Sequence, residues 1–130
     1  MRLVVADTGP INYLVLIEAI DLLPKLFETI FVPKAVHDEL AHLDAPATVR
    51  AWNEQVPAWL EVRPNPDCNI DDATAAALDD GERAAIALAI AIGAELILMD
   101  DRAGVAVAYQ QGLTVTGTLG VLDLAARGAD

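Results

Sequence analysis

The stretch Leu3-Val4-Val5-Ala6-Asp7-Thr8-Gly9-Pro10 decides how the chain is read. Four apolar residues in a row, two of them β-branched, are the pattern of a strand buried on both faces, and the Asp-Thr-Gly-Pro cluster ends it. A second run, Glu95-Leu96-Ile97-Leu98-Met99, has the same character and stops at Asp100-Asp101-Arg102. Burial of both faces requires helices above and below the strands. The expectation is an α/β chain with a central parallel sheet and right-handed crossovers.

The segments around these two strands fit that plan. Residues 11–20 are apolar almost all round and Pro10 suits a helix start, so a buried helix is expected there. A short helix over 22–27 and a strand Ile30-Phe31-Val32 follow. Pro33 then opens a helix with Val36, Leu40 and Leu43 on one face. The pattern next predicts a helix over 47–55, a short strand over 60–63, and an Ala-rich helix over 70–78 begun by Asp71 or Asp72. Asp79 starts the strongest helix, which runs to about Ile92 and is stopped by Gly93. A helix over 103–111, a strand Leu113-Thr114-Val115 and a final helix with Thr118 as its N-cap complete the chain.

At 130 residues and 13.8 kDa the sequence suits a single domain over 1–130. With 55% hydrophobic and 22% charged residues it has enough apolar surface to fold. The uncharged apolar run from Ala84 to Ala94 falls short of the ~20 residues of a membrane-spanning helix. Asp7 comes too early for a secretory signal, and a cytoplasmic protein is expected. Cys68, the single cysteine, excludes an internal disulfide framework, and the absence of serine excludes a serine nucleophile. Twenty Asp and Glu against eight Lys and Arg give a net charge of −12, which repels polyanions at long range. A nucleic-acid partner would therefore need divalent cations, a basic partner protein or a local arginine cluster.

In a parallel α/β sheet ligands bind beyond the carboxyl ends of the strands, where Asp7 and the Asp100-Asp101 pair are expected. Like charges gathered in a cleft raise one another's pKa or take up a counter-charge, and Mg²⁺ or Mn²⁺ favours carboxylate oxygens. Each acid also has a simpler reading. Asp7 and one of Asp100 and Asp101 suit helix N-caps, Asp79 and Glu82 fit a capping box, and Glu39 suits the solvated border of its helix. His37 and His42, five residues apart, point roughly 140° from each other on a helix, so they are placed at the surface rather than on a shared zinc. Trp52 and Trp59 are expected to pack against the core. Thr118 leads a helix start that can meet a phosphate.

Taken together, the first stretch, Val36-His37-Asp38-Glu39-Leu40, the run Gly81-Glu82-Arg83-Ala84-Ala85-Ile86-Ala87-Leu88-Ala89, and Leu96-Ile97-Leu98-Met99-Asp100-Asp101-Arg102 resemble a PIN domain. The closing Val115-Thr116-Gly117-Thr118-Leu119-Gly120-Val121-Leu122 resembles the VapC-type toxins of prokaryotic toxin–antitoxin systems. The resemblance implies a PIN-like three-layer α/β/α fold and a Mg²⁺- or Mn²⁺-dependent ribonuclease. The matching positions make Asp7, Glu39, Glu82 and Asp100 the acidic quartet, with Asp7, Glu82, Asp100 and Asp101 as metal ligands. Glu82 stands where an aspartate is more usual. Gapless counting from Glu82 favours Asp100 for the fourth position, with Asp101 as a neighbouring or substitute ligand. Thr8, Arg83, Arg102 and Thr118 are placed toward the RNA substrate. A cognate antitoxin and a homodimer are the partners it implies. A PIN-fold module that binds a protein without turnover is the alternative, and a phosphatase with an Asp-x-Asp start is disfavoured because Gly9 stands where its second acid belongs.

Overall fold

Among the described residues five short strands make one sheet, and the alternation of their side chains accounts for both layers around it. The computed structural model describes residues 3–67 and 70–128, which leaves Cys68 outside the described residues. The strands are β1 (Val4–Ala6), β2 (Ile30–Pro33), β3 (Leu60–Arg63), β4 (Leu96–Leu98) and β5 (Val115–Thr116), all parallel, in the order β3-β2-β1-β4-β5. Successive residues of a strand face opposite sides. Val4, Ala6, Ile30, Val32, Leu96 and Leu98 accordingly enter one core, and Val5, Phe31, Ile97 and Met99 enter the other.

The first core is closed by α1 (Thr8–Leu16), α2 (Leu22–Phe27), α3 (Lys34–Ala41), α4 (Ala47–Glu54) and α8 (Thr118–Arg127). The second is closed by α5 (Asp72–Ala75), α6 (Asp80–Ile92) and α7 (Arg102–Gln110). The result is the expected three-layer α/β/α sandwich. Trp52 and Trp59 pack against the first core with ring centroids 6.2 Å apart, as anticipated. Among the described residues no helix is long and apolar enough to cross a membrane.

The strand order sets the location of the site. The chain moves outward from β1 to β3, then returns through α5 and α6 to place β4 on the other side of β1. The order therefore reverses between β1 and β4, and the crevice at such a switch point is where open α/β sheets bind ligands. The two strands end level, because the Asp7 N–H donates to the Leu98 carbonyl at 2.9 Å.

Several boundaries differ from the sequence pattern. Helix α1 begins at Thr8, with Pro10 in a first turn that needs no backbone donor, and ends at Leu16, just before Glu18 takes a left-handed backbone (φ 59°). The helix expected over 70–78 shortens to Asp72–Ala75, while Ile70, Ala75 and Leu78 all enter the second core. Strand β5 lies at Val115–Thr116, fixed by pairing of Ile97 with Val115 and Leu98 with Thr116. Leu43, expected on the buried face, follows the end of α3 and is exposed.

His37 is half-buried rather than at the surface. Its Nδ1 lies 3.0 Å from Asn53 Oδ1, and the Asn53 amide donates to the His37 carbonyl at 3.1 Å, joining α3 to α4. Asn53 is buried, so removing its side chain leaves His37 groups without partners. Asn53→Ala should destabilise the fold by about 1–3 kcal/mol in urea unfolding; an unchanged midpoint would show that this link between the helices is dispensable.

Candidate active site

Asp7 follows β1 and occupies the N-cap position of α1 in extended backbone, yet its side chain makes no cap hydrogen bond. The residue is only 5% exposed, and its Oδ1 is buried without a hydrogen-bond partner among the described residues. Capping therefore does not account for Asp7. Burial raises its pKa from the ordinary 3.8 to about 7, opposed by the Thr8 N–H and reinforced by the nearby charges of Asp79, Glu82 and Glu39.

Glu82 enters from the first turn of α6. Asp79 Oδ1 accepts from the Glu82 N–H at 2.7 Å while Glu82 Oε1 accepts from the Asp79 N–H at 3.0 Å, which forms the complete capping box read from the sequence. The box fixes the side chain without carrying it to solvent, since Glu82 is buried. Burial raises its pKa, the Asp79 N–H bond opposes this, and the carboxylates of Asp79 and Asp101 add to the rise. Asp79, read from the sequence only as a cap, thus belongs to the electrostatic surroundings of both Asp7 and Glu82.

Glu39 reaches the same place from α3. The Thr8 hydroxyl, at the start of α1, donates to Glu39 Oε2 at 2.5 Å, and the rest of the carboxylate lies over Gly81 of α6. The structure therefore gathers Asp7, Glu39 and Glu82 from three separate elements.

The two consecutive aspartates after β4 diverge. Asp100 turns toward α8, where it accepts from the Thr118 N–H at 2.7 Å and the Thr118 hydroxyl at 2.5 Å. A Cβ on Gly117 would lie 2.5 Å from Asp100 Oδ1, and one on Gly9 3.7 Å from Oδ2. Asp101 caps α7 through the Ala103 N–H at 2.9 Å and is the acid that acts on Glu82. Gly117 rather than Thr118 is the N-cap of α8, because Asp100 supplies the capping carboxylate from a different strand.

The residues expected toward the substrate are distributed unevenly. Arg83 Nη2 donates to the Leu78 carbonyl at 3.3 Å and Nη1 lies 3.6 Å from Asp80, so much of this guanidinium is tied to the start of its own helix. Arg102, the first residue of α7, is exposed and makes no hydrogen bond or ion pair among the described residues. A groove of about 820 Å³ opens between α1, α3 and α6, lined by Thr8, Asn12, Glu39, Arg83, Ala84 and Ala87 among others. It was not foreseen from sequence, since its walls come from helices distant along the chain.

The donor set among the described residues suits a hard divalent cation: carboxylate oxygens, with the buried Asp7 Oδ1 lacking any other partner there. Among the described residues no three acid, histidine or cysteine side chains are already closed around one point. The reason is visible in the hydrogen bonds, for Glu39, Glu82 and Asp100 each direct an oxygen to a hydroxyl or an N–H. An ionised carboxylate has about four lone-pair sites, so these bonds leave capacity for a cation.

The sign of the Asp7 pKa change gives a stability prediction. A carboxyl that binds its proton more tightly when folded has no effect below the unfolded pKa, destabilises progressively as pH rises from about 4 to about 7, and stays destabilising above. Without divalent cations, Asp7→Asn should therefore be more stable than the parent at pH 8, by up to about 4 kcal/mol at ~1.36 kcal/mol per unit, and melt at higher temperature. The difference should shrink toward pH 4. Equal melting of the two at pH 8 would show that Asp7 is not confined as described.

A comparison with protein-family models matches residues 3–129 to the PIN domain. A comparison with curated proteins gives no match. PIN domains are generally nucleases that use divalent metal ions, and the reversal between β1 and β4 holds the first-strand acid and its partners at the edge where such chemistry belongs. With all but the ends of its sequence covered by the match, the chain belongs to the PIN-domain family.

Proposed function

We propose that the protein is a metal-dependent endoribonuclease acting as the toxin of a type II toxin–antitoxin pair of the VapC kind. The observation that carries the nuclease reading is Asp7: a buried carboxylate with one oxygen unpartnered, set among Glu39 and Glu82 at the switch point of the sheet. An isolated charge in such a place costs several kcal/mol, and a cation offsets that cost. The toxin role rests on the likeness of the closing 115–122 segment to VapC-type toxins.

In this reading Asp7, Glu82 and one or both of Asp100 and Asp101 hold Mg²⁺ or Mn²⁺, while Glu39 ligates or orients the attacking water. When bound, the ion lowers the pKa of water, orients the scissile phosphate and stabilises the leaving oxygen. Thr8 keeps Glu39 turned toward Asp7, and the capping box keeps Glu82 from swinging out to solvent. Arg102 and the outer edge of Arg83 meet phosphate charge, and Thr118 holds Asp100 at the rim. No covalent intermediate is required, in keeping with a chain that has no serine. RNA is the substrate, a cognate antitoxin the protein partner, a homodimer the assembly and the cytoplasm the compartment.

One observation favours a second reading. The net charge is −12, and Asp38, Asp44 and Asp80 line the groove beside the acids. Such a surface suits a basic protein better than a phosphate backbone, as expected of a PIN-fold module that binds without turnover.

Purified protein should cleave RNA with Mg²⁺ or Mn²⁺ and lose cleavage in EDTA. Asp7→Asn and Glu82→Gln should each slow it at least about 100-fold, since even the outer partners of a metal site contribute 10–100-fold. Calorimetry should show Mn²⁺ binding that disappears in Asp7→Asn. Absence of both cleavage and Mn²⁺ binding, together with tight capture of a small basic protein, would replace the nuclease reading with the binding module.

A further inference from the structure

We propose that Gly81 is a positioning residue, whose missing side chain forms the seat that holds the Glu39 carboxylate beside Glu82. A methyl group built on Gly81 would lie 2.7 Å from both Cδ and Oε2 of Glu39 and nearer still to Oε1. Real Cβ atoms do not approach other atoms this closely, so any larger residue at 81 displaces the carboxylate. Gly81 has no conformational need to be glycine. It is the second residue of α6, in helical backbone, whereas the glycines with positive φ are Gly93 and Gly112.

Glycine is among the least favourable residues in a helix, yet it stands here between Asp80 and Glu82 in the first turn of the longest helix. The packing of α3 on α6 supplies the reason. Glu39 is held from two sides, by the Thr8 hydroxyl of α1 and by the bare backbone of α6. Its carboxylate also lies at the N-terminal end of α6, where the helix dipole favours negative charge. With a side chain at 81, Glu39 would have to turn outward into the groove that it lines, away from Asp7.

The role of this seat in metal binding rests on the nuclease reading above, but the seat itself does not. A double-mutant cycle separates the two: Gly81→Ala, Glu39→Ala and both together, in the full chain, followed by thermal unfolding in EDTA and by Mn²⁺ calorimetry. With Glu39 present, the end of its side chain has to move off Thr8 to admit the methyl, so Gly81→Ala should raise the melting temperature by less than it does without Glu39, or lower it. With Glu39→Ala in place the methyl has room, and the same substitution should raise melting by about 2–4 °C through helix propensity. Mn²⁺ affinity should fall about tenfold on Gly81→Ala alone and be insensitive to it once Glu39 is alanine.

If Gly81→Ala fails to fold but the double variant folds, the seat is supported in its strongest form. A melting change of the same sign and size with and without Glu39 would overturn the seat. So would unchanged Mn²⁺ affinity in Gly81→Ala when the parent binds Mn²⁺. A melting change that depends on Glu39, alongside a parent that binds no Mn²⁺, would uphold the seat and remove the metal from the reading.

Discussion

The arrangement depends on confining Asp7 where water is scarce and other carboxylates are close. Its position follows from the sheet: β1 is the central strand, both its faces are covered, and the residue after it has nowhere exposed to go. Four helix N-termini, those of α1, α6, α7 and α8, gather at the same edge and favour negative charge there. Each contributes typically 0.3–1 kcal/mol and up to about 2 in partly buried geometry. The effective penalty for burying an ion is several kcal/mol. The dipoles therefore moderate the penalty without removing it, and Asp7 remains a group that holds a proton near neutral pH unless a cation replaces it.

The neighbouring acids are managed by a different device. Glu39, Glu82 and Asp100 each accept at least one hydrogen bond from a residue at a helix start: Thr8 of α1, Asp79 of α6 and Thr118 of α8. These bonds fix the side-chain directions, so the acids are oriented before any ligand arrives. Capping and cation binding are compatible because they draw on different lone pairs. The simpler reading of Glu82 as a cap and its reading as a site residue thus describe one side chain, whereas for Asp7 the cap is absent.

Features set by neighbours in sequence were readable; those set by distant residues were not. Strands β1 and β4 announce themselves as short uninterrupted apolar runs ended by acids, and the α6 capping box is written in Asp79-Asp80-Gly81-Glu82. The N-cap of α8 moved from Thr118 to Gly117 because the capping group comes from Asp100, eighteen residues away. Half-burial of His37 depends on Asn53 of another helix. Gly81 gave a local hint, a glycine inside a first turn with no turn to make, but its meaning required Glu39 to be brought over it.

The parity of the strands resolves what residue counting could not. Val5 and Met99 enter the core beneath α6 and α7, while Ala6 and Leu98 enter the core beneath α1 and α8. Alternation carried one step past β1 directs Asp7 to the α6 side, and carried past β4 it directs Asp100 to the α8 side and Asp101 back to the α6 side. The contacts agree: Asp7 and Asp101 act on Glu82 or are acted on by it, and Asp100 lies against Gly9, Gly117 and Thr118. Two adjacent aspartates thereby address opposite layers of the sandwich, one binding the last helix to the end of β4 and the other adding charge beside Glu82. The strand pattern was already present in the sequence, so the opposite facing of Asp100 and Asp101 followed from residues 96–101 once β4 was taken as a strand buried on both faces, whereas the partners each one meets came from the fold.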